Sequence, residues 1–259
     1  LKPGVHILAH VRKPELLPAA LLVFRTLRTG FPESHVMVWG NALAGTAAQA
    51  VEHAARGAGA EFRNLPLPGK HDGWVEDLIQ TGLEPFWICD TDIIFWEAVE
   101  DWRAPTFMGR LEPEFDEEWT KTRHMERLHS SLMYINPAAV RAEMRRFMAK
   151  IPAPFGHTAR FPFVQQHFVP LRGQQPLFYD TCAGMWHAFE GQPFTEQQNR
   201  AYEHLHCATY ADLIELEGLQ DAHAAIYSNP TLARGMRETQ DAYYNRRKPK
   251  DLICHTHQE

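Results

Sequence analysis

Short apolar runs alternate with helix-spaced apolar positions along the N-terminal part of this chain. Val5-His6-Ile7-Leu8-Ala9-His10 predicts a short buried strand. Leu17, Leu21, Phe24 and Leu27 recur at helical spacing and predict a helix from Pro14 to Arg28, stopped at Gly30. His35 to Trp39 predicts a second strand, closed by Gly40-Asn41. Thr46 is a candidate N-cap for an Ala-rich helix through Ala58, ended by Gly57 and Gly59. Glu61 to Leu67 predicts a third strand broken by Pro66 and Pro68, and Trp74 to Gln80 a short helix with Val75, Leu78 and Ile79 on one face. Phe86-Trp87-Ile88-Cys89 then predicts a buried strand that runs directly into Asp90.

Strands alternating with helices imply an α/β fold with a mostly parallel sheet flanked by helices and right-handed crossovers. Ligands of such sheets sit outside the carboxyl ends of the strands, where Asp90 and Asp92 fall. The second half is less regular. Thr106 to Leu111 predicts a strand, Glu112 to Glu118 an acidic loop with five carboxylates, and Ser131 to Ile135 another strand. Pro137 stands at the expected first turn of a helix through Lys150. Ile151 to Gln175, rich in Pro, Phe and Gly, reads as a long loop, and Phe178 to Phe189 holds a helix beginning near Asp180-Thr181. No internal repeat or low-complexity tract interrupts the pattern, so residues 1–259 read as one domain.

Composition narrows the function. With 44% hydrophobic and 22% charged residues, the 259-residue chain can bury an ordinary globular core. A net charge of -6 argues against a nucleic-acid partner, which would need a basic surface. The Arg246-Arg247-Lys248 cluster with Lys250 reads as solvated or phosphate-facing charge. No apolar run approaches the roughly 20 residues of a membrane span. Leu1-Lys2-Pro3-Gly4 leads straight into a strand, without the pattern of a signal peptide. Cys89, Cys182, Cys207 and Cys254 are widely spaced, which suggests reduced thiols and a cytoplasmic protein. Neither GxGxxG nor GxxxxGK[ST] occurs, so dinucleotide and P-loop readings lack their phosphate cradle.

The segment Phe86-Trp87-Ile88-Cys89-Asp90-Thr91-Asp92-Ile93-Ile94-Phe95 places two carboxylates between apolar flanks. A charged pair there is costly unless neutralised. A divalent cation, Mn2+ or Mg2+, would neutralise it and bridge carboxylate to diphosphate oxygens. On an extended segment Asp90 and Asp92 would point the same way and Thr91 away. The competing reading is a turn with two solvated carboxylates.

These residues resemble the GT-A glycosyltransferases, whose DxD motif follows a nucleotide-binding, Rossmann-like α/β half. The resemblance runs from Val5 to about Tyr210 and is sharpest at Asp90-Thr91-Asp92. Ser130-Ser131-Leu132-Met133-Tyr134-Ile135-Asn136-Pro137 is similar to the donor-sugar segment of the galactosyltransferase and glycogenin-like branch. His129 stands where that branch has Asn, and Ser131 where it has Gly. His204-Leu205-His206-Cys207-Ala208-Thr209 resembles the C-terminal segment in which one His completes the metal site, implying His206 foremost and His204 next. A surface or core-packed pair is the other reading of these two. His255 and His257 read as incidental, near a terminus.

The family implies a nucleotide-binding half over residues 1–100 and an acceptor and metal-completing half over residues 101–259, with a smaller mixed region on the C-terminal acceptor side and a UDP-sugar as donor. His10 and Arg12 lie where the fold meets the base, and Lys70 and His71 would offer a cation or an aromatic face to the nucleotide. Arg12 also fits a surface charge, and Lys70-His71 a helix start. Asp180 is the candidate catalytic carboxylate: a base in an inverting enzyme, or a donor-sugar contact in a retaining one. Asp180 as a helix N-cap fits equally, and Asp116, Glu117 and Glu118 are alternatives. Phe155, Phe161, Phe163 and Phe168 form either an acceptor cover or a satellite core.

Asp90-x-Asp92 after an apolar strand also fits a haloacid-dehalogenase-type phosphatase with Asp90 as nucleophile. Against that, the motif normally opens its fold, and no paired acidic metal motif follows here. A nucleotide-sugar-binding protein without catalysis would keep the same acidic pair. The partners implied are a nucleotide-sugar donor and a carbohydrate or other hydroxyl acceptor.

Overall fold

The computed structural model describes residues 2–11, 17–117, 121–151, 161–189 and 191–204. Strand β1 (Gly4–Ala9) is followed by two single-turn helices, α1 (Leu17–Ala20) and α2 (Leu27–Gly30), with a 3-10 turn (Leu22–Arg25) between them. Then come β2 (Val36–Gly40), α3 (Gly45–Gly57), β3 (Glu61–Asn64), α4 (His71–Thr81), β4 (Phe86–Cys89) and β5 (Ile93–Phe95). The next elements are β6 (Phe107–Glu112), β7 (Phe115–Glu117), β8 (Thr122–His124), β9 (Arg127–Ile135) and α5 (Pro137–Met148). The described chain closes with β10 (His167–Val169), β11 (Leu177–Tyr179), α6 (Ala183–Ala188), β12 (Gln192–Pro193), α7 (Glu196–Arg200) and β13 (Tyr202–His204).

The fold is α/β, with a large, mostly parallel sheet flanked by helices and two smaller sheets. The large sheet has the order β12-β6-β9-β4-β1-β2-β3. β2 pairs in parallel with β3, and β12 with β6, while β9 runs antiparallel to both its neighbours, β4 and β6. That reversed strand departs from the all-parallel pattern expected from the first half. The strand order reverses direction between β1 and β4, which is where open α/β sheets form a crevice beyond their carboxyl ends.

Three local expectations are corrected. The helix predicted from Pro14 to Arg28 is broken within its described part into α1, a 3-10 turn and the start of α2. Val23 N–H donates to the Thr91 carbonyl at 2.9 Å, and the Thr26 hydroxyl accepts from Phe95 N–H at 3.0 Å. Thr46 lies inside α3, whose N-cap is Ala44 with an extended backbone and no side-chain bond. The helix expected to begin near Asp180-Thr181 begins at Ala183, and the Leu177–Tyr179 segment before it is a strand paired antiparallel to β10 and parallel to β8.

The chain divides into two compact units, interleaved in sequence. One comprises Leu1–His6, Gly69–Cys89 and Asp101–Asn199; the other comprises Ile7–Pro68, Asp90–Glu100 and the described residues from Arg200. In the first, Trp87 is fully buried, with ring centroids 5.5 Å from Tyr134, 6.2 Å from Trp102 and 6.4 Å from Phe194. Burying a large apolar side chain of this kind contributes about 1.5–3 kcal/mol, and each edge-to-face ring pair adds about 0.5–1.5 kcal/mol. Helix α5 starts as its sequence predicts: Pro137 sits in the first turn, and the Asn136 side chain accepts from Ala139 N–H at 3.3 Å. Arg141 on α5 donates to the Ile79 and Gly82 carbonyls, satisfying the C-terminal end of α4. Phe161 and Phe163 pack against Phe147; Phe163 is buried in the core and Phe161 half-buried, whereas Phe168 is exposed on β10.

The second unit is held by polar clamps around an apolar centre. Asn64 brackets Leu43, accepting from its N–H at 2.9 Å and donating to its carbonyl at 2.7 Å. The buried Glu100 carboxylate accepts from the N–H groups of Glu33 and Ser34 and from the Ser34 hydroxyl. Phe95 of β5 meets Phe31 edge-to-face at 5.2 Å and lies directly over Gly30, where a Cβ would come 2.5 Å from its ring. Glycine is therefore required at position 30 for close approach rather than for conformation.

Candidate functional site

Asp90, Thr91 and Asp92 form a turn between β4 and β5 in the second unit, and do not continue the strand. The turn replaces the expected alternation of faces. Thr91 is buried and its carbonyl is tied to Val23, which anchors the turn. Asp92 is nearly inaccessible, its side chain 4% exposed, while that of Asp90 is 32% exposed. Strand β13 pairs antiparallel with β5, setting His204 opposite Ile93, one residue beyond Asp92. That register brings His204 Nε2 to 3.2 Å from Asp92 Oδ1 and 3.8 Å from Asp90 Oδ2, with the imidazole side chain only 6% exposed.

Among the described residues, Asp90, Asp92 and His204 form a group whose ligand atoms all lie within 4.8 Å of one another. Such a group can hold a divalent cation. Neighbouring ligands about 2.1 Å from an octahedral ion stand about 3.0 Å apart, close to the measured His204–Asp92 separation. Two carboxylates and a neutral imidazole nitrogen form a donor set suited to manganese or magnesium on the oxygen side and to manganese or zinc on the nitrogen side.

The other candidate residues are distributed as follows. His10 is half-buried at the carboxyl end of β1, in the same unit as the triad. Arg12 and His206 lie outside the described residues, as do Phe155, His255 and His257. In the first unit, exposed Lys70 is the N-cap position of α4 and His71 its first residue, with the His71 ring 5.8 Å from Trp74. Ser130 and Ser131 sit in an irregularity of β9. Opposite Gly109 the partner is Met133, but opposite Arg110 it is His129, so the residues between bulge away from β6. Bulges of this kind re-aim side chains and cluster near functional sites. Ser131 N–H donates to His129 Nδ1 at 3.1 Å.

Asp180 belongs to a buried ion cluster that sequence inspection did not identify. Glu112 and Arg127 are direct cross-strand partners of β6 and β9, with Arg127 Nη2 2.7 Å from Glu112 Oε2 and 3.0 Å from Asp180 Oδ2. His129 Nε2 stands 3.6 Å from the other oxygen of Glu112. Asp180 Oδ1 accepts from Gln166 Nε2 at 2.6 Å and from Thr181 N–H at 2.8 Å. Burial alone would raise the Asp180 pKa. The Arg127 charge, the Thr181 N–H, His129 and Gln166 outweigh it and hold the carboxyl below its usual value. Its side-chain oxygens cap no helix, since α6 begins after Cys182.

Glu112 is a correction to the expected solvated acidic loop: it ends β6 and its side chain is 3% exposed. Its sequence signal was faint, a glutamate closing the apolar run Phe107-Met108-Gly109-Arg110-Leu111, matched by an arginine that precedes Leu128. Only the pairing of β6 with β9 joins them.

No family model matches the chain, and no curated protein matches it either. Two glycosyltransferases are among the solved structures similar to part of it. The apo structure of WbbM, a bifunctional glycosyltransferase, has a TM-score of 0.39 and 8% identity over 57% of this chain and 35% of that one. The glycosyltransferase GlyE of Streptococcus pneumoniae TIGR4 has a TM-score of 0.37 and 6% identity over 62% of this chain and 42% of its own. The match thus spans well under half of each of those proteins.

Proposed function

We propose that the chain is a metal-dependent glycosyltransferase that moves a sugar from a nucleoside-diphosphate sugar to an acceptor hydroxyl. The observation that carries this reading is the convergence of Asp90, Asp92 and His204 beyond the carboxyl end of β4. That end flanks the reversal of strand order, the position at which α/β sheets bind phosphorylated ligands.

In this reading Asp92 and His204 would hold a manganese or magnesium ion from buried positions. Asp90, the more exposed carboxylate, completes the group and remains available to a water or a ribose hydroxyl. When bound, the cation neutralises the negative charge of the diphosphate leaving group. His10 and Arg12 are assigned to the base side of the nucleotide. Lys70, His71, Ser130 and Ser131 are assigned to the donor, which is a UDP-sugar.

Asp180 is the proposed catalytic carboxylate, and its environment sets its manner of action. A carboxylate paired with Arg127 and held below its usual pKa is a strong hydrogen-bond acceptor and a weak proton acceptor. It therefore suits orienting a sugar or acceptor hydroxyl better than removing a proton. The test is release of UDP from UDP-glucose and UDP-galactose in the presence of manganese. The expected result is turnover that chelation abolishes and that Asp92→Ala reduces by at least about 100-fold, in line with loss of one transition-state charge stabiliser. Turnover unaffected by chelation would overturn the metal assignment.

A further inference from the structure

We infer that Arg127 is a positioning residue for this reaction, keeping Asp180 ionised and fixed, with Glu112 anchoring the guanidinium from behind. The inference takes its reaction from the transferase reading and its geometry from the ion cluster alone. Arg127 and Glu112 have side chains 6% and 3% exposed, so neither reaches a ligand; Asp180, 23% exposed, is the member that presents surface. The cross-strand register of β6 and β9 sets Arg127 opposite Glu112 independently of Asp180.

Arg127 Nη2 is then shared by two carboxylates, Glu112 at 2.7 Å and Asp180 at 3.0 Å. Thr181 N–H and Gln166 hold the other Asp180 oxygen. Gln166 is itself anchored, because its N–H donates to Asp72 of α4 at 2.9 Å. The charged and titratable groups around Asp180 are Arg127 and His129 on β9, Glu112 on β6, Asp72 on α4 and Cys182 before α6. Arg127 is the permanent cation in that set. Two carboxylates compete for it, so removing Glu112's charge strengthens the hold on Asp180, whereas removing Arg127 releases it.

The experiment is a carboxyl-carbon NMR titration of aspartate-labelled protein, with the Asp180 signal assigned by Asp180→Asn. In Arg127→Met the Asp180 midpoint rises by at least about one pH unit, the size expected for losing an adjacent guanidinium. In Glu112→Gln the midpoint falls below that of the wild type. The acid limb of kcat/KM for UDP release from UDP-glucose moves in the same direction in each variant, a response that a merely structural arginine does not produce.

An unmoved midpoint in folded Arg127→Met, or a raised midpoint in Glu112→Gln, overturns the inference. Arg127→Met leaves two carboxylates without their cation, so Glu112→Gln carries the test if that variant does not fold. A wild-type protein that releases no UDP would overturn the transferase reading instead, and the titration would still decide the pairing.

Discussion

Gly30→Ala tests whether packing around β5 supports the metal group. An added Cβ would lie 2.5, 2.6 and 2.8 Å from Cγ, Cδ1 and Cδ2 of Phe95. Carbon atoms in contact prefer about 3.5–4.0 Å, so the ring must retreat by roughly 1 Å. Phe95 is buried and its other side is held by Phe31, which limits that retreat. Overpacking of this kind costs about 1–3 kcal/mol, and the lower chain entropy of alanine returns about 0.4–1 kcal/mol. The net loss is about 1–2 kcal/mol, which lowers Tm by about 2–8 °C in a chain of this size.

The assay is thermal unfolding of Gly30→Ala, Phe95→Leu and the double variant. The two changes are expected to be less than additive, because leucine vacates the space that alanine needs. Manganese affinity should fall in Gly30→Ala, since β5 follows directly on Asp92 and carries the pairing to His204. An unchanged Tm, or strict additivity, would refute the close-contact argument.

Three other outcomes follow from single contacts. Asn136→Ala should cost about 1 kcal/mol by thermal melt, the usual worth of an N-cap, and Asn136→Ser should recover most of it. Asp180 has a folded pKa below its unfolded value, so its contribution is complete above the unfolded value, about pH 3.9, and is lost as pH falls through the folded one. The Tm gap between wild type and Asp180→Asn should therefore persist at neutral pH and close at acid pH below that point. Burial and the Asp180 and Asp72 carboxylates push the Cys182 thiol well above its usual pKa, so it should resist maleimide at pH 8 in the native protein and react after denaturation.

Strands β1, β2 and β4 are legible because each is a short apolar run next to Gly, Pro or Asn, whereas β3 carries a single apolar residue. Phe86–Cys89 is a fully buried strand and Asp90 follows it directly, as the pattern implies. The acidic pair could be read as a charge in need of a partner. Its local shape could not: Asp90 to Asp92 turn because Thr91 is tied to Val23, a contact between distant segments. The same contact falls within the helix predicted around Leu21 and Phe24, which is broken there. His204 and His206 are both legible as candidate ligands; His204 is placed beside the acidic pair by the β5–β13 register, which periodicity does not specify, and His206 lies outside the described residues. Glu112 was grouped with solvated carboxylates because its partner, Arg127, is close only across the β6–β9 ladder. Local patterns thus named β1, β2, β4, β6, α3, α4 and α5, while long-range pairing decided the short strands and which charges meet.

The central claim is that Asp90, Asp92 and His204 hold a divalent cation together with a nucleoside diphosphate. Isothermal titration of the full chain with manganese, with and without UDP, tests it most directly. The account predicts manganese uptake strengthened by UDP and weakened by at least about tenfold in Asp92→Ala and in His204→Ala, a loss of about 1.4 kcal/mol or more. Uptake that is indifferent to UDP, or equal in the variants and the wild type, would contradict it.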